Sequence, residues 1–130
     1  MAALSDYLED AIINWLRGTT FPAAPTTVYV ALFTAAPNDA GGGTEVSGGG
    51  YARTAVTLGA PAGGAGATDN TATVTFPQAS ASWGTVTHTA IFDALTAGNL
   101  LLHGALAASK AVGDGDTAEF AIGDIDFTIA

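Results

Sequence analysis

Near the start of the chain, Leu8, Ala11, Ile12, Trp15 and Leu16 recur at the three- and four-residue spacing that places apolar side chains along one side of an α-helix, and the pattern stops at Gly18. Ser5 or Asp6 can cap this helix, and Glu9 stands three residues after Asp6 in capping-box spacing. Asp6, Glu9 and Asp10 at the front and Arg17 at the back suit the helix dipole. The spacing predicts a helix over 5–17, about 20 Å long at 1.5 Å per residue. Two uses are open to its apolar stripe: packing on the protein's own core, or docking on another subunit.

Beyond Gly18 the period changes. Thr26 to Thr34 is rich in β-branched and aromatic residues and apolar on both faces, which predicts a strand lying between two layers. Tyr51 to Leu58 places Tyr51, Arg53, Ala55 and Thr57 on one side. Thr71 to Phe76 alternates threonines with Ala72, Val74 and Phe76, as a half-buried strand does. Further strands are expected at Thr85 to Asp93, Asn99 to Leu106, Thr117 to Ile122 and Ile125 to Ile129. Turn residues at 95–99 fit a hairpin, and those at 121–124 lie near another strand pair. Long helices do not alternate with the strands, so a doubly wound nucleotide-binding sheet is disfavoured. The expected fold is mainly β: an antiparallel, jelly-roll-like β-sandwich over about 26–130, preceded by one helix, in a single domain of 1–130. The Gly-rich stretches 37–50 and 59–70 read as long surface loops, either plain connections or contacts between subunits.

Composition narrows the partners. Twelve acidic residues stand against three Lys plus Arg, a formal charge of −9. A chain so poor in cations cannot neutralise a run of phosphates, so no nucleic acid is expected as partner. It also lacks the polybasic segment that an anionic membrane surface requires. Apolar runs such as Val28 to Phe33 fall far short of the roughly 20 residues of a membrane helix, so no membrane role is expected. The N-terminus has no basic region before an apolar core, so a Sec signal is not expected either. With no cysteine, disulfides, thiol nucleophiles and Cys-ligated zinc are absent, and stability must come from packing or association.

Catalytic chemistry finds little support. His88 and His103 are the only histidines; each lies in a predicted strand, without a nucleophile elbow or a helical pair to accompany it. Two histidines fall short of the three or four ligands zinc takes. Asp114, Asp116, Glu119, Asp124 and Asp126 invite a calcium reading, but their spacing is not that of an EF-hand; Asp114-Gly115-Asp116 reads as a turn, and Asp124 and Asp126 as the wet side of a strand. The glycine clusters lack a phosphate-loop lysine. The expectation is therefore no enzyme activity, no catalytic or metal-binding residue and no cofactor. Among the rare cations, Arg17 and Arg53 are candidates for holding an acidic partner, with Tyr51 adding buried area beside Arg53 where a Gly-rich segment meets a strand.

The segments LSDYLEDAIINWLRGTTF, VYVALFTAAP, GGTEVSGGGYAR and WGTVTHTAIFDALTAGNLLLHGAL together resemble a family of small tailed-bacteriophage virion proteins, often labelled tail fibre proteins, over nearly the whole chain. The resemblance implies a small β-sandwich structural subunit and no catalytic residues. Some phage proteins of this size are capsid cement. A compact chain without heptads or internal repeats suits a subunit that covers a lattice better than an elongated fibre. The expected role is thus a capsid cement or decoration protein: a homo-oligomer on the virion's capsid surface, made in the host cytoplasm, with the major capsid protein as its partner. The alternatives are a tail or neck component, and a carbohydrate-binding module for host attachment.

Overall fold

A computed structural model describes residues 3–61 and 63–129. Strand accounts for 39% of the described residues and helix for 9%, far below the roughly one third of residues found in helix in an average globular protein. The architecture is the expected antiparallel β-sandwich with an N-terminal helix. In chain order the elements are β1 (Ala3–Leu4), α1 (Asp6–Leu16), β2 (Val28–Ala35), β3 (Thr44–Glu45), β4 (Thr54–Val56), β5 (Ala67–Asp69), β6 (Val74–Thr75), β7 (Gly84–Phe92), β8 (Leu100–Val112), β9 (Glu119–Phe120) and β10 (Asp126–Thr128).

The two layers are unequal. One is a six-stranded sheet ordered β1-β8-β7-β2-β3, in which β4 also pairs with β2. The outer edge of β2 is thereby shared: β4 takes Val28 to Val30 and β3 takes Phe33 and Ala35. Opposite the sheet lie two short ribbons, β5 with β10 and β6 with β9. Val30, Leu32, Ile91 and Leu102 from the sheet meet Val74, Phe76, Phe120, Ile125 and Phe127 from the ribbons in the main core. An aromatic series runs through it: Tyr51 stacks on Phe76 at 6.2 Å and meets Trp83 edge-on at 5.4 Å, and Phe76 meets Phe120 edge-on at 6.1 Å. Such pairs add to plain area burial, so Tyr51 and Trp83 bind the β6–β9 ribbon to the sheet. The opposite side of the sheet carries a smaller cluster of Ala31, Phe33, Ala90 and Leu100.

Several sequence expectations shift in detail. Ser5, not Asp6, caps α1: its Oγ accepts the Leu8 N–H at 3.2 Å, so the Asp6–Glu9 capping box does not form. The 95–99 turn joins β7 to β8 as expected, but the 121–124 turn makes no hairpin, because β9 pairs with β6 and β10 with β5. β8 runs well past Leu106. Val86 faces Lys110 and His88 faces Ala105, so Thr87 alone opposes Leu106 to Ser109; the strand bulges out there and resumes. The two Gly-rich stretches are not wholly irregular, since β3 falls inside 37–50 and β5 inside 59–70. Two- and three-residue strands carry too short a pattern to be read before their partners are known. Among the described residues, no helix is long and apolar enough to cross a membrane.

Candidate interaction surfaces

The first candidate region is built around Arg53. The register places Tyr29, Ala31 and Phe33 of β2 and Ala90 and Phe92 of β7 on the side of the sheet away from the main core, and Phe33 stacks in parallel on Phe92 at 6.4 Å. Arg53, just before β4, lays its guanidinium 3.7 Å above the Phe92 ring. Its Nε donates to Glu45 Oε1 at 2.8 Å and its Nη2 to Glu45 Oε2 at 2.9 Å, a two-pronged pair with the carboxylate of β3. Its Nη1 donates to the carbonyls of Ala94 (3.0 Å) and Ala97 (2.8 Å) in the β7–β8 turn. One side chain thus ties together β3, the approach to β4 and that turn.

The turn needs this support. Ala97 sits at φ 52°, a left-handed conformation that costs a non-glycine residue energy. At Gly98, φ 74°, a Cβ would lie 2.6 Å from the Ala94 Cβ and from Asp93 Oδ1, so only glycine fits. Asp93 closes the turn, accepting Asn99 N–H at 2.7 Å and Asn99 Nδ2–H at 2.8 Å.

Tyr51 completes the cluster from the core side. Its hydroxyl accepts the Leu32 N–H at 3.0 Å and donates to Glu45 Oε1 at 2.9 Å. Burial pushes the Tyr51 phenol well above its ordinary value near 10, and the Glu45 charge adds to the rise against the opposing Leu32 N–H and Arg53. The folded protein therefore holds this phenol neutral at pH values where the unfolded chain ionises it. The associated stability is complete below about pH 10 and is lost as pH rises from there toward the folded-state value. Urea unfolding of wild type and Tyr51→Phe between about pH 8 and pH 11 checks this. The wild type should lose stability more steeply above about pH 10 than the variant, which should itself be weaker at neutral pH by about 1 to 2 kcal/mol, because the Leu32 N–H loses its acceptor. Parallel slopes would show that the phenol ionises as freely in the fold as outside it.

Of the three residues singled out in the sequence as contacts, Tyr51 and Arg53 come together and Arg17 stands apart. Arg53 is only 9% exposed and spends its donors inside the chain. An acidic partner would have to displace Glu45 to reach it, and truncating Arg53 perturbs the fold before it tests any contact. Arg17 caps the exposed end of α1, with one side-chain hydrogen bond, Nη1 to Asn14 Oδ1 at 3.2 Å. The groove beside Arg53, about 390 Å³, is flanked by Ser47, Gly48, Leu95 and Thr96, while the polar atoms of Glu45, Tyr51 and Arg53 that border it are already bonded to one another.

The histidines and carboxylates have local partners. His88 Nδ1 lies 2.8 Å from Thr87 Oγ1, and His103 Nε2 lies 2.8 Å from Asp39 Oδ1, which holds the 36–43 loop over the smaller cluster's side of the sheet. Asp116 accepts the Gly113 N–H and Asp124 the Ala121 N–H, each fastening its own turn. Asp69 and Asp126 face each other across β5 and β10. Among the described residues no three His, Asp or Glu side chains converge as a metal site would require.

The second candidate surface is the end of α1, which sequence reasoning left with two uses. Leu8 and Ala11 pack on the body, and the backbone N–H groups of Ser5 and Asp6 bind the carbonyls of Leu101 and Asp39, so the first turns are held. The last turn is not: Ile13 is 55% exposed, Trp15 60% and Leu16 68%. Trp15 lies on the same side of the helix as Leu8 and Ala11, at i+7 and i+4. Its exposure therefore means that the body ends before the helix does. Tyr7 and Phe21 are partly exposed as well, but beside the first turn of the helix.

No curated protein matches the chain. A family model does, over residues 3–128, and its description is Podophage GP4 fiber I protein gp80. That match spans both ribbons, the whole sheet and α1, and with it the resemblance carried by the N-terminal helix and the β7–β8 hairpin takes a definite form: the chain belongs to the Podophage GP4 fiber I protein gp80 family of phage structural proteins.

Proposed function

We propose that this protein is a non-catalytic building block of a podophage virion that works by binding other virion subunits, in or at the base of a fibre. The observation that carries this reading is the family match, whose description names a fibre protein and which leaves almost no part of the chain outside it. The build of the molecule supports a binding role. Its conspicuous free surface is an apolar helix end, and its polar clusters are occupied with holding turns and loops in place. Its partners are other virion proteins and further copies of itself, and it reaches the particle through the host cytoplasm, where phages assemble.

Capsid cement, seated on the major capsid protein at the capsid surface, is a second reading that one observation favours. The longest helix spans 11 residues and the longest strand 13, so among the described residues there is no elongated element of the kind a fibre shaft uses. A compact sandwich suits either a lattice or a fibre's attachment point. The sugar-binding alternative is less favoured, because Glu45, Tyr51 and Arg53, the charged and phenolic side chains bordering the groove, are already bonded to one another.

Quantitative mass spectrometry of separated heads and tails from the encoding phage decides among these. The fibre reading expects the chain to leave with the tail fraction at low copy number. High copy number on emptied heads would replace it with cement. Absence from purified particles would overturn both.

A further inference from the structure

We propose that the last turn of α1 is a knob that seats in an apolar hollow on a second copy of the same chain. The hollow lies at the other end of the same helix. It has a volume of about 250 Å³ and is lined by Leu8, Phe21, Pro22, Pro25 and Leu101, with Asp93 as the one carboxylate in its lining. The segment 21–25 that forms one wall carries two prolines and is exposed throughout, so the wall is stiff and open to an approaching molecule.

Knob and hollow match in chemistry. The knob offers Ile13, Trp15 and Leu16, an exposed apolar surface over roughly half of one helical turn, with Asn14 and Arg17 on the other half. Among the described residues nothing covers it. Charge matches as well. Of the chain's three cations, Arg53 is held by Glu45 and two carbonyls, and Lys110 lies 5.4 Å from the Phe120 ring. Arg17, at the knob, keeps most of its guanidinium free and is the cation suited to meet a carboxylate. A knob entering the hollow brings Arg17 toward Asp93 of the neighbouring copy.

A second copy fits better than an unrelated protein because both halves of the contact are on this one chain. α1 is about 16 Å long at 1.5 Å per residue, so a two-fold axis across the middle of two antiparallel helices places each knob at the other's hollow. Reciprocal exchange doubles the buried surface, in the direction of the roughly 800 Å² per partner that a stable pair uses. The inference rests on the proposed function only in needing several copies side by side.

The chain has no cysteine, so engineered thiols report cleanly. Leu16→Cys and Ala23→Cys proteins, each full length and exposed at the new thiol, are mixed under mild oxidation at tens of micromolar protein. A covalent dimer is expected from the mixture and little from either variant alone. Absence of the mixed dimer, or equal dimer from Leu16→Cys by itself, overturns the knob-in-hollow contact. Sedimentation of the untagged wild type should show a dimer, and Trp15→Ser should weaken it at least tenfold without lowering the melting temperature. Arg17→Asp should weaken it likewise, since the charge facing Asp93 of the neighbouring copy is then reversed. A wild type that stays monomeric overturns the inference, whereas the head-and-tail fractionation tests the virion role independently.

Discussion

Asn70→Ala is expected to destabilise the fold by about 3 to 5 kcal/mol, more than any other single side-chain truncation outside the aromatic core. Asn70 is completely buried, and every polar atom of its side chain is used. Its Oδ1 accepts the buried Ile125 N–H at 2.9 Å, and its Nδ2 donates to the carbonyls of Ala72 and Ala121, both at 2.9 Å. Its own N–H donates to the Ile125 carbonyl and its carbonyl accepts the Gly123 N–H, both at 3.1 Å. The side chain therefore stands in for the hydrogen bonds that the chain cannot make where β5, the approach to β6 and the 121–125 turn converge. Alanine would leave the buried Ile125 N–H and two part-buried carbonyls without these partners, and each buried unsatisfied group costs about 1 to 3 kcal/mol. Asn70→Asp should be no better, since it removes both donors and places a carboxylate where water does not reach. Urea unfolding followed by the fluorescence of buried Trp83 measures the change. A loss below about 1 kcal/mol would mean that the turn relaxes and satisfies these groups in another way.

Arg53→Ala is the second large effect, expected to cost about 2 to 4 kcal/mol, somewhat under the full loss of a buried pair because Glu45 is 26% exposed. The variant strands the Glu45 carboxylate, uncovers Phe92 and releases the two carbonyls that hold the Ala97 turn. Arg53→Lys should recover only a minor part, because an ammonium cannot form the fork with Glu45 while lying flat on a ring. Removing both partners in Arg53→Ala/Glu45→Ala should cost clearly less than the sum of the single changes, since no unpaired charge then remains. Additive losses in that cycle would show that the two side chains act separately. A contact role for this region is better probed by charged substitutions at exposed Ala52 or Thr96, which leave the ion pair intact.

Both residues show where reading the chain succeeds and where it stops. Repeating pattern was legible. The apolar spacing from Leu8 to Leu16 located α1 to within a residue at each end, and the stretches Thr26 to Thr34 and Thr85 to Asp93 located β2 and β7 to within two residues, because helices and long strands repeat their burial with a fixed period. Arg53 and Tyr51 stood out by rarity and by position next to a glycine run. Asn70 did not, since it closes a segment of Gly, Ala and Thr that reads as loop, and its three partners come from 2 to 55 residues away. No local signal marks such a residue; an asparagine after an aspartate is ordinary turn chemistry until two other segments fold onto it.

The amino-acid sequence by itself determined a mainly β chain led by one helix and a strongly acidic charge balance, because composition and periodicity act through every residue at once, and its segments carry the membership in a phage structural family. Only the tertiary structure decided the rest. It closed Arg53 into an internal ion pair, drew β3 and β5 out of glycine-rich stretches by offering them an edge to pair with, and carried α1 past the end of the body so that Trp15 and Leu16 remain bare. The physical reason is common to all three. A side chain's partners and a helix's cover are set by which distant segments arrive beside them, and that is a property of the packed layers rather than of any window of the chain.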